Sequence, residues 1–234
     1  MKTIKTIIAA VACLLAMNTQ AQSADEIVAK YVAAMGGAEK MNSTNSVKME
    51  GSLSVQGMDI PITQTVLNKK GMRLDIDVMG TTGYQVANTS KGFRFFPFQG
   101  DTDPVEMSAE ELALAKDRMD LTNEYLNAKE LGNKLEFVGK EDVDGAPAYK
   151  LKLTKANGKE VMAFFDEKTA FLVRTVSKEN INGSEMEITS TNKDYKQTAE
   201  GFWYPHTIES SVQGTISFSK ITVNSAVDEK IFNP

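Results

Sequence analysis

Over most of its length this chain alternates apolar and polar residues one for one. A period of two can be buried only by β-strands with one face turned in and the other turned out. Val47, Met49, Leu53 and Val55 alternate with Lys48, Glu50, Ser52, Ser54 and Gln56, with Gly51 in phase on the apolar side. Met72, Leu74, Ile76 and Val78 repeat the pattern against Arg73, Asp75 and Asp77, as do Tyr149, Leu151 and Leu153 against Lys150 and Lys152. Lys69-Lys70-Gly71, Asp144-Gly145, Asn157-Gly158 and Asn182-Gly183 separate such runs with residues that accept the positive φ of tight hairpins. The pattern predicts about twelve strands, five before residue 100 and seven after residue 133. The expected fold is mostly β with some α: a single antiparallel sheet of about 11–12 strands, too many to stay flat and so strongly curved into an incomplete barrel.

Two segments change the period to that of a helix. In Ser23–Met35, Ile27, Val28, Tyr31, Val32 and Met35 share a face, Asp25 and Glu26 suit the N-terminus, and Gly36-Gly37 ends the run. The second is an insert between the two groups of strands. It opens with the capping pair Ser108 and Glu111, carries Leu112, Ala115, Met119, Thr122 and Leu126 on one face, and closes at Gly132. Two helices are too few to cover so wide a sheet. The remaining apolar inner surface is either a core filled by its own side chains or a cavity for a greasy ligand.

The first residues read as an address. Lys2 and Lys5 precede an apolar stretch from Thr6 to Met17, and Thr19-Gln20-Ala21 places small residues where a signal peptidase reads them. The expectation is a cleaved signal peptide over 1–21 and one mature domain over 22–234, working in the periplasm. Leu14, Leu15, Ala16 and Met17 carry the apolar run past Cys13, which argues against lipidation there. Removing Lys2, Lys5 and the one cysteine takes the formal net charge from −5 to −7 and leaves no thiol for a disulfide or a metal. An acidic chain without a basic cluster gives nucleic acid no electrostatic hold.

Catalytic patterns are nearly absent. His206, the sole histidine, is in phase with Phe202, Tyr204, Ile208 and Val212, and reads as a hydrogen-bonded residue of an apolar wall. Asp101-Thr102-Asp103 lacks the glycine and the distal glutamate of a calcium loop, and Asp75 with Asp77 reads as a charged outer face. The expectation is therefore a non-enzyme with no metal and no cofactor. The apolar inventory says more. Phe93, Phe95, Phe96 and Phe98 crowd one strand before the insert, Met107 and Met119 flank or sit on the insert, and Met49, Met58, Met72 and Met79 lie on the early strands. Methionine recurs where a surface must adapt to varied apolar partners. Met49, Leu53, Leu74, Ile76, Phe96, Leu151 and Tyr204 are expected to point to the concave side, with Leu112 and Met119 of the insert covering part of it.

Several segments, in order, resemble the LolA/LolB-like superfamily, in particular outer-membrane lipoprotein-sorting proteins of the Bacteroidetes type. They are Asp25-Glu26-Ile27-Val28 to Met35-Gly36-Gly37, then Ser90-Lys91-Gly92-Phe93-Arg94-Phe95-Phe96-Pro97-Phe98, then Val138 to Gly145 leading into Ala148-Tyr149-Lys150-Leu151. Phe164 to Thr169, Asp194-Tyr195-Lys196 through Gly201 to Pro205-His206, and Val223-Asn224 to Pro234 follow. The resemblance implies a helix-covered incomplete barrel whose cavity holds acyl chains of lipoproteins or lipids. It also implies periplasmic transport of lipoproteins to the outer membrane, or a related lipid-handling role; the expectation is a monomeric carrier or chaperone whose partners include an inner-membrane donor and an outer-membrane acceptor. LolA carriers hold the lid with an Arg-Pro turn after an early strand; here the matching turn is Lys69-Lys70-Gly71, which makes Lys69 and Lys70 the gate candidates. The alternative from the residues is a non-enzymatic sensor or structural interaction domain with a self-filled core.

Overall fold

The computed structural model describes residues 23–181 and 184–233. The expected signal peptide, Cys13, the expected Asn182-Gly183 turn and Pro234 lie outside them. Two hairpin meanders meet at their ends. The first runs through β1 (Ser46–Val55), β2 (Met58–Leu67), β3 (Gly71–Val78), β4 (Thr81–Asn88), β5 (Gly92–Phe95) and β6 (Val105–Glu106). The second runs through β7 (Lys134–Val143), β8 (Ala146–Thr154), β9 (Glu160–Asp166), β10 (Leu172–Ile181), β11 (Ser184–Gln197), β12 (Trp203–Ser210) and β13 (Gly214–Val223). β1 pairs with β13, so the order is β6-β5-β4-β3-β2-β1-β13-β12-β11-β10-β9-β8-β7, one 13-stranded antiparallel sheet with free edges at β6 and β7. It is an incomplete barrel rather than a closed one. The five early and seven late strands are those the alternation predicts, and the two-residue β6 is the addition.

The seam between the meanders depends on a missing side chain. Register shifts at Glu50/Gly51, and a β-carbon on Gly51 would lie 2.1 Å from the Ser217 carbonyl oxygen. No other residue fits that approach. At the β7–β8 turn the requirement is conformational: Asp144 and Gly145 both have positive φ, 54° and 86°, the pair a tight two-residue hairpin needs.

Helix α1 (Ala24–Ala34) starts on Ser23, whose hydroxyl accepts the Glu26 N–H while the Glu26 carboxylate accepts the Ser23 N–H. A five-residue helix α2 (Ala38–Asn42), too short for a periodic signal, follows the Gly36-Gly37 break. The insert helix α3 (Ala109–Met119) carries the expected Ser108–Glu111 box, but it ends seven residues before Leu126, the last position of its apolar spacing. Asx turns stop it. Asp120 Oδ1 accepts the Thr122 N–H, and Asn123 Oδ1 accepts those of Tyr125 and Leu126, so side chains take the donors that a continuing helix would use. Thr122 and Leu126 therefore lie on a turn-rich segment.

The inner face is filled unevenly. Over β7–β10, α1 and Tyr125 seal a core containing Ile27, Tyr31, Tyr149, Leu151, Leu153, Ala163 and Phe165. Over β1–β4, β12 and β13, the apolar residues form two smaller clusters bridged by Leu74 and Leu121, with α3 and the segment after it above them and α2 reaching them at Phe202. The outer face is closed at one place by the C-terminus, where Phe232 packs over Gly71 and Arg73 and Asn88 hold the last backbone carbonyls.

Candidate functional site

The unevenly filled half contains a chain of hollows beneath the insert. An apolar cavity of about 410 Å³ is walled by Leu53, Ile62, Met72, Leu74, Ile76, Ile216 and Phe218 from β1, β2, β3 and β13. Its polar lining is limited to Gln64, Arg118 and Gln213. A second hollow of about 210 Å³ shares Gln64 and Arg118 with the first and adds Val47, Met49, Val66 and Leu121. A third, of about 200 Å³, shares Leu121 and continues between Tyr31, Met35, Met41, Phe202 and Tyr204. The series follows the strand direction, from the rim of the 211–213 hairpin to the rim where α1 and α2 pack. Cavities of this size and lining suit a small apolar ligand.

Of the residues singled out in the sequence, Leu53, Leu74 and Ile76 line the first hollow, Met49 the second and Tyr204 the third. Met119 is buried in the cluster under α3, and Leu112 packs against it. Leu151 is fully buried in the α1 core, away from the hollows. Phe96 packs with Phe98 over Gly83, where a β-carbon would meet both rings, and Phe95 sits beside Tyr84 on the other face. Met58 and Met79 stand exposed at hairpin tips and wall no cavity. Arg118, Gln64, Gln213, Ile216 and Phe218 were missed. Nothing local in the sequence places Arg118 at a cavity, whereas the alternation Thr215-Ile216-Ser217-Phe218-Ser219 is the signal that puts Ile216 and Phe218 on one face.

The candidate gate turn touches the insert at three points. The Lys69 N–H donates to the Met119 carbonyl at 3.0 Å, the Asn68 side-chain oxygen accepts the Leu121 N–H at 3.0 Å, and Lys69 Nζ lies 3.7 Å from Asp120 Oδ2. Lys70 turns away and pairs with Glu229 of the C-terminal segment. On the far side, Asn123 donates to the Tyr31 hydroxyl at 2.9 Å. Burial, partly offset by that bond, pushes the Tyr31 phenol up to about 12, so it stays neutral. The Lys69–Asp120 pair is long and more than a third exposed at both ends, and such pairs contribute under about 1 kcal/mol. Lys69→Ala, alone or with Lys70→Ala, should therefore change ligand affinity less than about fivefold. Asn68→Ala leaves a partly buried N–H without its acceptor, a loss of about 1–3 kcal/mol, and should raise amide exchange at residues 119–123 well above the Lys69 variant.

At Asp120, burial raises the carboxyl, but hydrogen bonds from Thr122 and the charge of Lys69 outweigh it, leaving the group below its ordinary 3.8. A depressed carboxylate supports the fold above its unfolded pKa and loses that support as pH falls through the folded value. Protection at the insert, the exchange rate referred to the intrinsic rate at each pH, should thus be flat above pH 5 and fall only in stronger acid.

The remaining candidates for chemistry have structural partners. His206 Nδ1 donates to the Phe218 carbonyl at 2.8 Å. Asp101 accepts the Phe96 N–H, Asp75 pairs with Arg73, and Asp77 caps its hairpin at Gly80. Among the described residues no group of three or more His, Cys, Asp or Glu could hold a metal ion, and no helix is long and apolar enough to cross a membrane. A hollow of about 480 Å³ on the outer face between β9, β10 and β11 is edged by Lys159, Glu160, Lys178, Glu185 and Glu187, a charged lining that suits water.

A single curved antiparallel sheet, with helices over one face and an apolar space between, is an arrangement that solved structures of other proteins share. It matches the crystal structure of a LolA superfamily protein from Nitrosomonas europaea with a TM-score of 0.54 at 13% identity, covering 92% of this chain and 99% of that one. A Vibrio parahaemolyticus domain assigned to outer membrane lipoprotein sorting matches with a TM-score of 0.54 at 16% identity, over 89% and 95% of the two chains. A DUF1329 family protein from Desulfovibrio piger matches with a TM-score of 0.59 at 11% identity, over 89% and 96%. No protein-family model matches the sequence, and no curated protein resembles it in sequence.

Proposed function

We propose that this protein binds acyl chains of lipids or lipoproteins in the hollows beneath α3 and carries them through the periplasm after loss of residues 1–21. The observation that supports this most is the asymmetry of the inner face. The α1 half is packed solid, while the half under α3 keeps apolar walls around open space of about 410 Å³. Burying an acyl chain is worth about 0.8 kcal/mol per methylene, so a long chain gains on the order of 10 kcal/mol gross, reduced by whatever opening the lid costs. Along the 68–70 turn the lid is held by one backbone hydrogen bond, one bond to the Asn68 side chain and one weak ion pair, which supports loading and release without an energy source. That the Vibrio domain of the same fold is assigned to lipoprotein sorting supports the reading.

Native mass spectrometry of protein released from the periplasm tests it. The expected result is a mature chain beginning at Gln22, carrying lipid that organic extraction removes. A clean apoprotein that also fails to bind a fluorescent fatty-acid probe would overturn the carrier reading in favour of a self-filled interaction domain.

A further inference from the structure

The described structure leaves one arginine without a partner. Of the four arginines in the sequence, Arg73 pairs with Asp75, Arg94 with Asp101 and Arg174 with Asp144. Arg118 makes no ion pair and no hydrogen bond among the described residues, and it is the one that lines apolar space, in both the 410 Å³ and the 210 Å³ hollows. The nearest acids in sequence are turned elsewhere. Asp117 and Asp120 line a polar hollow with Thr122 and Glu124, and Asp120 is held by Thr122 and Lys69. No carboxylate lines either apolar hollow. The other polar lining groups, Gln64 and Gln213, have amides free of hydrogen bonds to described residues and able to donate. Three side chains that can donate thus edge this apolar space, Arg118 and Gln213 exposed and Gln64 half-buried, and no acid does.

A place in the last helical turn suits a cation through the helix dipole, and Lys116 in the same turn already supplies one. The dipole explains a charge near Asp120 but not why this side chain lines the cavity. Arginine lays its apolar stem along such a wall and keeps its planar fork at the mouth, where it matches a carboxylate or phosphate with two parallel hydrogen bonds.

We infer that the ligand of this cavity is a negatively charged amphiphile, its chain lying in the hollows and its carboxylate or phosphate head held by Arg118, with Gln64 and Gln213 as further donors. This rests on the acyl-binding reading above and narrows it to anionic headgroups over neutral ones.

The test compares dansyl-undecanoic acid with its methyl ester, by fluorescence titration at pH 8, on the wild-type chain and on Arg118→Met and Arg118→Lys. The wild type should prefer the acid by about tenfold or more, Arg118→Met should erase the preference, and Arg118→Lys should restore part of it. Dodecyl phosphate should displace the probe, whereas inorganic phosphate or acetate at the same concentration should not. Equal affinity of the wild type for acid and ester would overturn the inference and leave the acyl-binding reading standing. A preference that survives in Arg118→Met would overturn it too, as would displacement by inorganic phosphate alone. Binding of neither acid nor ester would end both.

Discussion

Phe165→Ala should cost about 3–5 kcal/mol of folding stability, among the largest losses available from a single truncation in this chain. Phe165 is fully buried on β9, paired across the sheet with Tyr149 and Leu172. Its ring stands edge-on to Tyr31 of α1, centroids 5.2 Å apart, and to Tyr125 of the segment after α3 at 5.3 Å. Three distant stretches of sequence meet on this one side chain, so little can collapse into the space its removal leaves. Against a total stability of about 5–15 kcal/mol the loss should move the urea midpoint down by 1 M or more at unchanged slope. The 410 Å³ cavity shares no lining residue with this core, which meets only the 200 Å³ hollow at Tyr31, Met35 and Met41, so the fraction of Phe165→Ala still folded should keep close to wild-type affinity for a probe seated in the larger cavity. A loss under 1 kcal/mol would mean that this core relaxes freely and is not the anchor of the fold.

That division between halves is also where the sequence stops being informative. All strands but β6, their division into five before the insert and seven after it, and the starts of α1 and α3 could be read directly, because alternation, Asp-Gly turns and capping boxes are local signals. The end of α3 could not. Leu112, Ala115, Met119 and Leu126 keep a helical spacing, and it is the Asx turns of Asp120 and Asn123 that end the helix against that spacing. The two-residue β6 and the five-residue α2 are too short to show any period.

The same locality governs the site. Alternation says which strand residues face inward, so Leu53, Leu74 and Ile76 could be placed on the inner face from sequence. It does not say which inward residue is sealed beneath α1 and which borders open space. Leu151 and Leu74 have the same pattern around them, yet one is buried in the solid core and the other borders the cavity, because α1 crosses β7–β10 and not β1–β3. Arg118 was invisible for a related reason: a basic residue in a last helical turn looks like a solvated charge until the sheet beneath it is known.

Leu74→Glu should lower probe affinity at least a hundredfold, about 2.8 kcal/mol, in a chain that still folds. Leu74 is half-buried at the middle of β3, between Gln64 and Gln85 in register, and it packs against both clusters beneath the insert. A carboxylate there has two courses, and both remove binding. If it keeps its water, the cavity stays wet and the chain gains nothing by entering. If it sheds water, it must pair with Arg118, which lines the same hollow, and it then occupies the donor that an anionic head would use. The ester probe should lose affinity along with the acid, which separates this variant from Arg118→Met, where the expected change is in the preference between them. Circular dichroism and a urea titration must show the variant folded, since a buried charge can also unfold the sheet. Leu74→Met supplies the control: its volume and polarity are close to leucine's, so affinity should stay within about threefold. Undiminished binding in a folded Leu74→Glu chain would show that acyl chains do not lie against β3, and the cavity beneath α3 would no longer be their site.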